Sequence, residues 1–181
     1  SFEDASRLLV DLQGLMGVPK ELIDLQMVLG WFYLRHGRLS EAWATIDALN
    51  SAYDRLEMDP VVGYITQPDA VLGHVALAQG DYSKAAEVGR RALSQQVRFT
   101  HPANQEFAAQ ILAQVALATG RLDDAQTFAG QALAISQRAG DRWFRAYIHN
   151  TQGDIAMARQ EYVEAKRFYE ASFAIRQAFG D

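Results

Sequence analysis

The chain has 181 residues, four histidines, 13 glycines, four prolines and no cysteine, and 22 acids against 17 bases leave a net charge of −5. Without cysteine there is neither a disulfide scaffold nor a thiolate metal site, and 49% hydrophobic with 22% charged residues is the composition of a folding chain rather than a disordered one. The bases stand singly or in pairs such as Arg90 and Arg91, too sparse to neutralise a phosphate backbone, and no apolar run approaches the ~20 residues that cross a bilayer.

The apolar spacing predicts nine helices and no strand, at about 2–16, 19–36, 39–58, 66–79, 82–98, 102–119, 122–139, 141–159 and 162–179. Phe2 and Ala5 repeat the spacing of Tyr82 and Ala85, so the first helix reads as the second half of an incomplete repeat. Pro19 and Pro102 fall in first turns, where the missing N–H costs nothing. The stretch 59–68 is irregular: Asp59 and Pro60 start a helix that Pro68 kinks, or 59–66 is a loop ahead of a helix near Pro68. A kinked or broken helix is the favoured reading.

Four segments superimpose without gaps: LGWFYLRHGRLSEA, LGHVALAQGDYSKA, LAQVALATGRLDDA and QGDIAMARQEYVEA. Each turn carries Gly37, Gly80 or Gly120, with Gln160 as the exception, and each second helix carries Ala42, Ala85, Ala125 or Ala165, spaced by 43, 40 and 40. A glycine after an apolar helical stripe suits a left-handed helix end, and a new helix starting at once makes an antiparallel pair. Gly30 or Gly73 on the first helix and Ala42 or Ala85 on the second are small where the axes of a pair come closest.

These columns resemble the tetratricopeptide repeat (TPR), a helix-turn-helix solenoid unit, over nearly the whole chain. The period is about 40 rather than 34, and the tryptophan and proline that often open and close the unit are absent. The phrases ALAISQRAGD and SFAIRQAFGD look like the long-period arrays of bacterial LuxR-type, ATPase-linked regulators. The resemblance implies an all-α, right-handed α-solenoid of antiparallel helix pairs. It divides into a half repeat over 1–18 and full repeats over 19–58, 59–98, 99–140 and 141–181, and reads as cut from a longer protein.

Little in the chain suggests catalysis. The four histidines, His36, His74, His101 and His149, lie in separate places, no Gly-rich phosphate loop follows a strand, and no nucleophile elbow occurs. The expectation is a non-enzyme with no cofactor and no metal.

A groove is better supported, because first helices of a TPR solenoid line its concave side. Three columns on one face of those helices change chemistry from repeat to repeat: Trp31, His74, Gln114 and Asp154; Met27, Ala70, Gln110 and Asn150; Asp24, Gln67, Phe107 and Tyr147. With Arg35 one turn beyond Trp31, the candidate binding residues are Asp24, Met27, Trp31, Arg35, His74, Phe107, Gln110, Gln114, Tyr147, Asn150 and Asp154. Trp31, Phe107 and Tyr147 also have a packing reading, and Arg142, Trp143, Phe144 and Arg145 read as part core, part solvated face.

The function expected is a protein-interaction module taking a partner peptide or helix, within a cytoplasmic bacterial signalling or transcription-regulatory protein. The alternative is a sensor of a small effector such as a sugar, amine or peptide. Neither nucleic acid nor membrane is an expected partner, and self-association through exposed array ends is a further expectation.

Overall fold

The computed structural model describes residues 19–55, 68–94 and 102–180. The helix expected over 2–16, the half repeat 1–18 and positions 59–67 of the irregular stretch lie outside the described residues. Within them are α1 (Pro19–Arg35), α2 (Leu39–Arg55), α3 (Pro68–Gln79), α4 (Tyr82–Ser94), α5 (Pro102–Ala118), α6 (Leu122–Ala139), α7 (Phe144–Ala158) and α8 (Tyr162–Phe179). No strand occurs among the described residues, and no described helix is long and apolar enough to cross a membrane.

Each pair turns by the same backbone mechanism. Gly37, Gly80 and Gly120 have φ of 71°, 76° and 75°, and Gln160, standing where the others have glycine, adopts the same left-handed conformation at 63°. The next N–H then reaches back into the first helix: Arg38 to Tyr33 O, Asp81 to Ala76 O, Arg121 to Ala116 O and Glu161 to Ala156 O, all at 2.8–2.9 Å. The same four residues give their carbonyls to Ala42, Ala85, Ala125 and Ala165 at 2.9–3.0 Å, opening the second helix. One residue thus satisfies an orphan carbonyl of one helix and accepts the first regular hydrogen bond of the next. The recurring alanines are at most 1% exposed, so each helix pair closes on a methyl group.

Consecutive helices pack on one another, and the first helices of successive pairs also touch, α1 on α3, α3 on α5 and α5 on α7. The second helices, α2, α4, α6 and α8, make no such contact with each other. First helices close together with second helices splayed apart describe a TPR-like solenoid whose inner wall is built by the first helices. The core runs through it as successive apolar clusters, from Leu29, Ile46 and Val71 to Ala129 and Ile155.

Two expectations need correction. Helix α7 is regular from Phe144 rather than 141: the Asp141 carboxylate caps the Phe144 N–H at 2.9 Å, and the Ala146 N–H reaches Trp143 O at 3.1 Å, three residues back, so the opening turn is tighter than an α-helix. Gly73 does not face its own pair: a Cβ there would lie 2.6 Å from Ile111 Cδ1 on α5, so it admits the next first helix. Gly30 and Gly153 do serve their pairs, against Ile46 and Tyr169.

Candidate functional site

The first-helix wall carries a cleft of about 570 Å³ to which α1, α3, α5 and α7 all contribute. Seven of the eleven sequence candidates border it: Trp31, Arg35, His74, Phe107, Gln110, Gln114 and Tyr147. Residues distant in sequence meet here, since the Arg35 guanidinium donates to the Tyr147 hydroxyl at 3.4 Å across 112 positions. The curvature of the array brings the end of α1 to α7.

An aromatic ladder forms one side. Trp31 lies 5.5 Å from His74 and 5.6 Å from Phe107, with His74 and Phe107 edge to face at 6.0 Å. Phe107 continues to Phe144 at 4.2 Å, Phe144 to Tyr147 at 6.0 Å, and Tyr147 to Trp143 at 4.8 Å. Apart from the stacked Phe144–Tyr147 pair, these tilted and edge-on arrangements match positive ring edges to negative ring faces. The Arg176 guanidinium sits 4.5 Å above the Tyr147 ring, fixing it from the α8 side.

The polar members have distinct duties. His74 Nδ1 bonds the Ala70 carbonyl at 2.9 Å, which requires Nδ1 to carry the proton, and burial pushes the ring below the usual imidazole range. It is therefore a neutral ring at pH 7 whose Nε2 can only accept. Gln110 is 1% exposed, and its amide nitrogen donates to Thr151 Oγ1 at 2.6 Å and Tyr147 O at 3.3 Å. Facing a carbonyl fixes the orientation of that amide, and leaves Oε1 without a partner among the described residues. Gln110 thus ties α5 to α7 as much as it borders the cleft.

The other candidates lie elsewhere. Met27, 6% exposed, belongs to the apolar core with Leu29 and Ile46; its column is the seam between successive first helices, as the burial of Ala70 and Gln110 in the same column shows. Asn150, in that column on α7, is exposed and does not border the cleft. Asp154 is exposed and accepts the Tyr169 hydroxyl at 2.7 Å within its own pair. Burial, followed by that bond, pushes the Tyr169 phenol up to about 12. Asp24 lies on α1, with its side chain outside the described residues.

Four bordering residues were not candidates: Leu34, Asp141, Trp143 and Phe144. Trp143 and Phe144 belong to the aromatic and basic cluster read as part core, part solvated face, and they divide accordingly, 36% and 2% exposed. Behind Asp141 lies Glu106 on α5, with no exposure and no hydrogen bond of normal geometry to either oxygen among the described residues. Burial first, then the Asp141 charge, raises its carboxyl to about 8, against smaller opposing effects of Ser136 and Arg145. At neutral pH Glu106 keeps its proton. Asp141 is held from several directions, its carbonyl accepting from Ser136 Oγ at 2.7 Å and Arg145 Nε at 3.1 Å.

No curated protein matches the chain in sequence. Residues 76–147, from within α3 to within α7, match the family model of the tetratricopeptide repeat, a non-catalytic scaffold unit that mediates protein–protein interaction. That match identifies residues 76–147 as tetratricopeptide repeat, and the pairs on either side of it share the same turn geometry.

Proposed function

We propose that this array is a protein-interaction module, not an enzyme, whose first-helix cleft receives an extended peptide or a helix of a partner. The observation that carries the reading is that four successive first helices contribute side chains to one cleft, so a chain lying across them is held by every pair. The resemblance to long-period arrays of bacterial regulators favours a cytoplasmic signalling or transcription-regulatory setting.

The test is selection of random linear peptides on the immobilised chain, with enriched sequences measured in solution by fluorescence anisotropy. Binding that weakens about tenfold or more in a Trp143→Ala, Gln114→Ala double variant of unchanged helicity supports the reading. No enrichment, or binders indifferent to that variant, overturns it.

A second reading, a small-effector sensor, is favoured by the cleft's volume of about 570 Å³, which lies in the range of small-molecule pockets. A thermal-shift screen against a metabolite collection tests it, because a ligand binding only the folded state raises the melting temperature.

A further inference from the structure

We infer that the cleft is built for an aromatic side chain, presented by the partner peptide as its anchor. This rests on the interaction reading and names the residue class that the site selects.

Charge is the first discriminator. The two charged side chains at the cleft are Arg35, which ends α1, and Asp141, which precedes α7. They cancel, and His74 is held neutral by its burial. The lining thus offers no net charge to offset the desolvation of a charged head group, and a cation seeking a ring face finds that of Tyr147 already taken by Arg176.

Hydrogen-bonding capacity is the second. A hydroxyl-rich ligand needs a partner for each group it buries, and donors are scarce here: the Gln110 amide nitrogen is committed to Thr151 and Tyr147 and His74 Nδ1 to Ala70, which leaves the Gln114 amide and Arg35 as donors beside the acceptors Gln110 Oε1, His74 Nε2 and Asp141. The surface that remains is a run of ring edges and faces from Trp31 through Phe107 to Trp143. An incoming ring extends that ladder of tilted, stacked and edge-on pairs, and a shape-matched aliphatic side chain lacks this term.

Arg35 and Asp141 then suit the main chain on either side of the anchor. A guanidinium donates to a peptide carbonyl and a carboxylate accepts a peptide N–H. Charge balance and a donor–acceptor pair flanking an aromatic cleft are together complementary to one aromatic residue within a polypeptide.

The three tryptophans provide the assay, since Trp31 and Trp143 border the cleft and Trp43 lies on a different surface beside Ser40 and Lys84. The ¹⁵N-labelled chain is titrated with N-acetyl-phenylalanine amide, N-acetyl-leucine amide, N-acetyl-arginine amide and sucrose, following the indole N–H resonances. The phenylalanine probe should shift Trp31 and Trp143 saturably and leave Trp43 still, with about fivefold higher affinity than the leucine probe. Trp143→Ala, at a partly exposed position, should weaken it by about tenfold. Equal or tighter binding of the arginine probe or sucrose overturns the inference, as does the absence of a saturable phenylalanine shift.

The two levels fail separately. Selected peptides that bind the groove without an aromatic residue at a fixed position overturn the anchor and keep the groove. No selected peptide, with the phenylalanine probe still shifting Trp31 and Trp143, overturns the groove and keeps the aromatic site.

Discussion

The turns inside the pairs and the turn between α6 and α7 solve one problem in two ways. Inside each pair the backbone does the work, with a left-handed residue and the two hydrogen bonds made by the residue that follows it, repeated four times. Between α6 and α7 the left-handed Gly140 and the Asp141 N–H to Ser136 O at 3.1 Å repeat the first half of that mechanism, and Asp141 caps Phe144 as Asp81 caps Lys84. The Asp141 carbonyl, however, goes to side chains, Ser136 Oγ and Arg145 Nε, with Glu106 buried behind it. Backbone geometry repeats wherever glycine, or Gln160, takes that conformation. Side-chain geometry is particular to its place, and it is there that the cleft acquires Asp141, Trp143 and Phe144.

The largest effect should come from the side-chain-built junction. Glu106 has a folded-state pKa of about 8, raised from 4.5, so the unfolded chain releases its proton first. Stability is lost as pH climbs from the unfolded value toward the folded one. The groups facing it are Asp141, Ser136 and Arg145. Glu106→Gln should therefore gain on the parent by on the order of 3 kcal/mol between pH 5 and pH 8, read by urea denaturation at each pH. A pH-independent difference would show that the junction does not depend on that proton.

Within the pairs, Gly120→Val should cost about 2 kcal/mol in the same measurement, because a β-branched residue is strained at positive φ. The neighbouring space is open, so the loss would be conformational rather than a clash. The smallest expected effect is a gain: Gln160→Gly should add about 0.5 kcal/mol by removing the left-handed penalty of a side chain, net of glycine's greater freedom when unfolded. Equal stability would mean that Gln160 recovers the penalty through contacts of its own.

What could be read from the sequence follows the same division. The turns, the alanine contacts and the pairing were legible because they depend on spacing within about forty residues. Three columns on the first helices were legible as one face, and the outer two supplied five of the eleven residues that border the cleft. The middle column was misjudged as groove at Met27, since changing chemistry also occurs where a packing seam accommodates different neighbours. Glu106 gave no signal, because a glutamate in the second turn of a helix looks like an ordinary solvated residue. Its burial depends on how α6 and α7 cross α5, and so does the neighbourhood of Trp143. Inter-pair angles leave no trace in residue spacing.

The Arg35–Tyr147 contact gives those angles a mechanical meaning. The first and fourth pairs touch at the cleft, so small rotations at the intervening junctions accumulate there as on a coiled spring. A rotation at any of these junctions moves Arg35 relative to Tyr147, so the width of the cleft is set by every junction between α1 and α7. Residues that never border the cleft thereby help to determine its shape.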